Sequence, residues 1–254
     1  MNTKIIRMPI DISMTVLSVI LMGGTVLFPD DRVHQVLGMV LLGLWIVHTI
    51  LNRRWYGSLF RGHYNGYRIM QTVINIGISV CAILLMVSGM SMAWFMPVGI
   101  GLGAARIIHL VSSHWYYIFM SAHLGMHISQ IASRMRQKPA GSRLAKTDSD
   151  MPTAADKNMP AKTDSDIQTV SRSSQPKMTW RIIGYICLAA ICCYGIYAFI
   201  IRGVWKYMFC LQQFFFLDID RGYLLFAIDY LSILILTAAV SHCLCKLLKL
   251  KLLE

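Results

Sequence analysis

Charge is what this chain has least of. Only 14% of its 254 residues are charged and just twelve are acidic, whereas a soluble globular domain is about a quarter charged. That shortage argues against an ordinary water-facing surface. Nucleotide motifs are missing too: the chain has neither a Gly-x-Gly-x-x-Gly fingerprint nor a P-loop, and no polar stretch is long enough for a nucleotide-binding domain. The seven cysteines (81, 187, 192, 193, 210, 243 and 245) lie in or near apolar stretches at no disulfide-like spacing, and Cys-x-x-Cys-His does not occur. Thioether attachment of a haem is therefore excluded.

What is abundant is apolar sequence, with hydrophobic residues making up 56% of the chain. Six stretches reach or approach spanning length: 13–29, 33–51, 70–96, 107–130, 181–201 and 224–245. The first has Lys4 and Arg7 ahead of it, like a signal peptide, but no small-residue cleavage site precedes Pro29 and a hairpin partner follows at once, so it counts as a span. The expected fold class is all-α: a polytopic membrane protein with six transmembrane helices. Residues 136–178 are rich in Ser, Thr, Asp, Lys, Ala and Pro, and Ala-Lys-Thr-Asp-Ser-Asp at 145–150 recurs at 161–166. Such a segment cannot bury a core and reads as a disordered cytoplasmic linker. It divides a four-helix domain, 1–135, from a C-terminal two-helix membrane unit, 179–254.

A net charge of +12 in a soluble chain would suggest nucleic acid. Here its distribution suggests orientation. Lys4 and Arg7 precede the first span, Arg53, Arg54, Arg61 and Arg68 follow the second, Arg134, Arg136 and Lys138 follow the fourth, and Lys246, Lys249 and Lys251 follow the sixth. The alternate loops hold Arg32 beside Asp30 and Asp31, Arg106 alone, and Arg202, Lys206 and Arg221 against Asp218 and Asp220. The positive-inside rule then puts both termini in the cytoplasm.

One histidine spacing occurs twice. His34 and His48 are 14 residues apart, and so are His109 and His123. On an α-helix that spacing keeps both imidazoles within about 40° of one face and separates them by roughly 21 Å. In a hydrocarbon core about 30 Å thick, each pair puts one ring near either side. Spans two and four run in the same direction, so His34 faces His109 at the outer side and His48 faces His123 at the inner side. Two such helices can clamp two haems one above the other. Gly38, one turn from His34, would let a flat macrocycle approach the backbone. His127 lies one turn beyond His123 on the same face and is the alternative inner ligand. His114 points about 140° away from His109; it is expected to hydrogen-bond beside an interfacial aromatic belt of Trp115, Tyr116 and Tyr117. Filling both axial positions with imidazole leaves the iron only electron exchange. Arg32 and Arg106 are positioned for the propionates of the outer haem; Arg53 or Arg54 would serve the inner one or merely orient the loop. His63 is expected to be solvated, and His242, with Cys243 and Cys245 after it, structural. Asp229 sits inside span six, either as a hydrogen-bonded carboxyl or as a protonatable group beside a quinol pocket.

These residues resemble the flavinylation-associated cytochromes. The resemblance is carried by His34-x-x-x-Gly38, by His48-x-x-Leu51-Asn52-x-x-Trp55-Tyr56, by Phe60-Arg61-Gly62-x-Tyr64-x-x-x-Arg68, by Ser88-Gly89-Met90, and by His109 through His123-Leu124-Gly125-Met126-His127. It extends to Asp218-Ile219-Asp220 before the last span. In that family's pattern a tyrosine stands in the place of His114. The resemblance implies a bacterial cytoplasmic-membrane b-type cytochrome with two haem b groups. It also implies FMN on an extracytoplasmic flavoprotein partner, with electrons passing between that partner and the membrane quinol pool. Two other readings stand beside it. A cytochrome b561-like or ferric-reductase-like membrane reductase would use the same ligands to serve a small outer acceptor. A haem-free transporter or membrane anchor would use the histidines for protons or metal ions.

Overall fold

The computed structural model describes residues 3–24, 28, 30–60, 63–94, 99–136, 177–214 and 222–250. The described residues form helices without any strand. In chain order they are α1 (Thr3–Leu21), α2 (Asp31–Leu51), α3 (Arg53–Ser58), α4 (Gly66–Met92), α5 (Leu102–Arg136), α6 (Lys177–Ile201), α7 (Val204–Met208) and α8 (Gly222–Leu250). The linker segment 137–176, the Arg61-Gly62 pair, Pro29 and the Asp218-Ile219-Asp220 turn lie outside the described residues.

Polar residues at the helix ends set these boundaries. Asp30 caps α2, its carboxylate accepting from the Arg32 backbone N–H at 2.9 Å. At the other end the Arg7 guanidinium donates to Leu51 O at 2.6 Å, satisfying a terminal carbonyl of α2 from the neighbouring α1. Asn65 caps α4 by accepting from Arg68 N at 2.8 Å. Between α6 and α7 the chain turns at Gly203, whose φ of 60° is left-handed and favours glycine.

Four stretches are long and apolar enough to cross a membrane: Asp31–Leu51, Gly66–Met92, Ile182–Ile201 and Gly222–Lys249. They point to a multi-pass membrane protein. Helices α1 and α5 fall outside that set; α5 carries four histidines and five serines, and α1 carries Arg7 and Asp11. Exposed apolar stripes agree with a lipid environment. On α4, Ile69, Val73, Ile76, Val80 and Ile83 recur every three or four residues and are exposed. In water so long an apolar face would drive association; against hydrocarbon it is at rest.

Met1–Ile128 and Leu188–Glu254 make one compact unit and Ser129–Cys187 another. The core of the first unit joins Tyr117 of α5 to Ala198 of α6, Val204 of α7 and Tyr230 and Ile233 of α8. Tyr117 donates its hydroxyl to Tyr230 O at 2.6 Å, and Ser241 donates to Ala122 O at 2.7 Å. The backbones of α5 and α8 come close at Gly125, where a Cβ would lie 2.8 Å from Ala238 Cα. Small residues permit this approach, as at many helix crossings in membranes. Gly125→Val should therefore cost about 1–3 kcal/mol through overpacking and lower the thermal unfolding midpoint in detergent. Gly43→Ala, which meets nothing within 4 Å, should leave the midpoint in place.

Candidate functional site

The N-terminal halves of α2 and α5 and the C-terminal half of α4 surround a cavity of about 530 Å³, with Leu21 and Met22 also in its lining. That volume suits a small molecule or cofactor. His34 of α2 and His109 of α5 face each other across it, their ring centres 6.3 Å apart and their planes at 67°. The two rings are held differently. His109 Nδ1–H donates toward Leu85 O at 3.2 Å and lies 3.3 Å from Ser88 Oγ. Because a carbonyl oxygen only accepts, the proton sits on Nδ1 and the lone pair on Nε2. Gly89 makes room for this ring, since a Cβ there would come 3.4 Å from His109 Cε1. His34 Nδ1, by contrast, is buried and meets no hydrogen-bond partner. A buried polar nitrogen without a partner is costly and marks a place where a ligand would belong.

Gly38 lies on the cavity wall with open space where a side chain would project. Arg106 also lines the cavity, its guanidinium 5.8 Å from the centre of the Phe214 ring. Arg32 is placed differently: its guanidinium lies 5.3 Å from the Trp94 ring centre.

A second histidine group sits further along the same helices. His123 Nδ1–H donates to Asn75 Oδ1 at 2.8 Å, and the His123 and His127 ring centres are 4.7 Å apart. His48 Nδ1–H donates to Asp11 Oδ1 at 2.8 Å, while its Nε2 accepts from the Asn52 amide at 3.2 Å. His123 lies within electrostatic reach of His48, His127 and Asp11. Four helices thus contribute to one polar cluster. His123, the expected inner ligand with His127 as its alternative, has its ring orientation fixed by Asn75.

The remaining histidines divide as their sequence positions suggest. His114 is 2% exposed and stacks on Tyr207 with ring centres 4.6 Å apart. Its Nδ1–H donates to Leu110 O at 2.8 Å, and its Nε2 lies 3.4 Å from the Tyr230 hydroxyl. The expected aromatic belt beside it is not at a surface. Tyr116 and Tyr117 are 7% and 1% exposed and pack inside the helix assembly, and Trp115 donates to Met208 O at 3.0 Å. Trp115 and Tyr117 pack against α7 and α8, and Tyr116 against Cys81 and Ala82 of α4. His63 is exposed and His242 half-buried. Arg53 and Arg54 are exposed.

Asp229 is ion-paired. Arg202 Nε donates to Asp229 Oδ2 at 2.7 Å, the Tyr194 hydroxyl donates to Oδ1 at 2.5 Å, and both partners of the ion pair are over nine-tenths buried. Among the described residues no group of three or more His, Cys, Asp or Glu side chains could hold a bare metal ion. An iron already held by a porphyrin asks for only two.

Three participants were not read from the sequence: Asp11, Asn75 and the contact of Gly89 with His109. A lone carboxylate just ahead of an apolar stretch, and a lone amide within one, were the available signals. No family model matches the chain, and comparison with curated proteins and with solved structures finds no match either.

Proposed function

We propose that this chain carries electrons across a membrane through two b-type haems, each held between two histidines. His34 and His109 hold the outer one; His48 and His123 hold the inner one, with His127 the alternative to His123. The observation that carries this reading is the cavity with His34 facing His109. Metal bonds to imidazole nitrogen are about 2.0–2.1 Å long, so two rings bound on opposite sides of one metal have centres roughly 6 Å apart. The observed 6.3 Å fits that arrangement before any ligand is added. The unpartnered His34 nitrogen and the pre-oriented His109 ring fit it as well.

When bound, a haem with both axial positions filled supplies one-electron exchange and nothing else. The chain's own part is to orient and to exclude. Leu85 O and Ser88 Oγ fix the plane of His109, Gly38 leaves the wall flat, and Arg106 brings a permanent positive charge to a carboxylate-bearing ligand. Asn75 and Asp11 orient the inner pair in the same manner.

In this reading α1 and α5 also cross the bilayer, making six spans, because their polar groups are answered by neighbouring helices and not by lipid. Both termini lie in the cytoplasm of a bacterial cell. The resemblance to flavinylation-associated cytochromes supplies the ends of the path: membrane quinol on one side and an extracytoplasmic flavoprotein bearing FMN on the other, with no flavin on this chain. The test is a reduced-minus-oxidised visible spectrum of the purified protein, with a pyridine haemochrome count. Two b-type haems per chain are expected. None, from folded protein made with an ample haem supply, would overturn the reading and leave a haem-free transporter or anchor. If both haems are present, electron delivery to a small soluble acceptor without a flavoprotein would favour the membrane-reductase variant.

A further inference from the structure

Asp31–Leu51 and Gly66–Met92 are each long and apolar enough to cross a membrane. A short segment joining two such helices turns back at the level of the lipid headgroups. The aromatic residues of this one suit that level. Phe60 is 92% exposed, Tyr56 and Tyr64 are exposed, and Trp55 is half-buried.

A cleft of about 280 Å³ opens there, between α3 and the first two turns of α4. Its half-buried lining includes Trp55, Tyr67, Arg68, Gln71 and Thr72. The segment is folded around Arg68. Arg68 Nη2 donates to Ser58 O at 2.6 Å, Nη1 to His63 O at 3.5 Å, and the guanidinium lies 4.7 Å from the Tyr64 ring centre. The Tyr64 hydroxyl in turn donates to Leu59 O. A guanidinium has five N–H donors, and neutral carbonyls fix its place without cancelling its charge. From α8, Lys249 Nζ comes within 4.4 Å of the centre of the Tyr67 ring. Gln71, Thr72 and Trp55 add side chains that can donate to an oxygen.

Positive charge dominates this end of the molecule. No acidic residue occurs between Asp31 and Asp148, while Arg53, Arg54, Arg61 and Arg68 all fall near the turn. Asp30 and Asp31 stand at the far end of α2, and Asp229 accepts from Arg202. The acidic residue described at the near end is Asp11 of α1, which accepts from His48.

We propose that this cleft binds the phosphate of an anionic phospholipid, with Arg68 and Lys249 supplying charge and Gln71 and Thr72 supplying donors. Basic pockets between membrane helices on the positively charged side take such headgroups. The lining favours a lipid over a soluble phosphate, because Trp55 and Leu59 give the cleft an apolar edge for the first carbons of a lipid chain. The cleft lies at the opposite end of α4 from the His34–His109 cavity, so the proposal does not depend on haem.

The test is native mass spectrometry of the full-length chain released from nanodiscs of phosphatidylcholine with a minor share of phosphatidylglycerol. One phosphatidylglycerol per chain is expected to survive gas-phase activation that strips phosphatidylcholine. Arg68 is left in place, because it folds the turn. Lys249→Gln should cut retention about fivefold, the worth of one close charge. Gln71→Leu combined with Thr72→Val keeps every charge and should also cut it. Arg53→Gln makes the same charge change on an exposed residue outside the cleft and should leave retention as in wild type. Equal losses in Lys249→Gln and Arg53→Gln would reduce the effect to general surface charge and overturn the site. So would full retention in Lys249→Gln or in the double variant, or no preference for phosphatidylglycerol in wild type. Soluble glycerol phosphate, added to the protein in detergent, should not displace the lipid. If it does, the cleft takes free phosphate and the lipid assignment fails.

Discussion

Alanine at His109 is expected to halve the haem content, from two per chain to one, while the helix content by circular dichroism stays as in wild type. The substitution removes a cavity imidazole that Leu85 O and Ser88 Oγ already orient beside His34. It takes nothing from the contacts that tie α5 to α8, which run through Tyr117, Ala122 and Gly125. His34→Ala should give the same count from the other side of the cavity. His114→Ala tests the third histidine that lines the same cavity. It removes a ring that stacks on Tyr207 in the core, so it should lower thermal stability and leave both haems in place. A haemochrome count on the three variants decides the matter, and two haems retained in His109→Ala would end the proposed ligand assignment.

The second large effect is expected at Asp229. Its carboxylate lies 2.7 Å from Arg202 Nε and takes the Tyr194 hydroxyl at 2.5 Å, with both charged partners nearly withdrawn from the surface. A buried pair of this kind is worth little relative to an apolar pair of the same shape, yet breaking it by removing one partner costs about 3–5 kcal/mol. Asp229→Ala leaves Arg202 charged, buried and facing Phe226. Its Nη2 already has no partner. The thermal unfolding midpoint of the detergent-solubilised protein should fall steeply. The double variant Asp229→Leu with Arg202→Met should recover most of the loss. A double-mutant cycle without coupling between these positions would contradict the ion pair as the source of the effect.

The parts legible in the sequence were those written as periodicity. Fourteen residues between His34 and His48, repeated between His109 and His123, required only helix geometry to bring His34 near His109; His114, expected to point away from that pair, lines the same cavity. Four of the six expected spans are likewise apolar enough to be read directly. What escaped was written in pairs of distant residues. Asp11 and His48 are 37 positions apart, Asn75 and His123 are 48 apart, and Arg202 and Asp229 are 27 apart. Each member alone looks like a stray polar group. Trp115, Tyr116 and Tyr117 misled for a related reason: their amphipathic rings suit an interface, but the place they occupy was decided by α7 and α8 for Trp115 and Tyr117 and by α4 for Tyr116.

The bonds between α5 and α8 also constrain the order in which the molecule can be completed. Tyr117 and Tyr230 are 113 residues apart, and Ala122 and Ser241 are 119 apart. A ribosome feeds out the N-terminal helices first, so the most polar long helix waits for its partners until nearly all of the chain has been made. Truncation before α8 would therefore remove more than a peripheral hairpin. It would leave α5, the helix bearing four of the eight histidines, without the neighbour that buries it, and quality-control proteases would meet an unfinished protein at that stage.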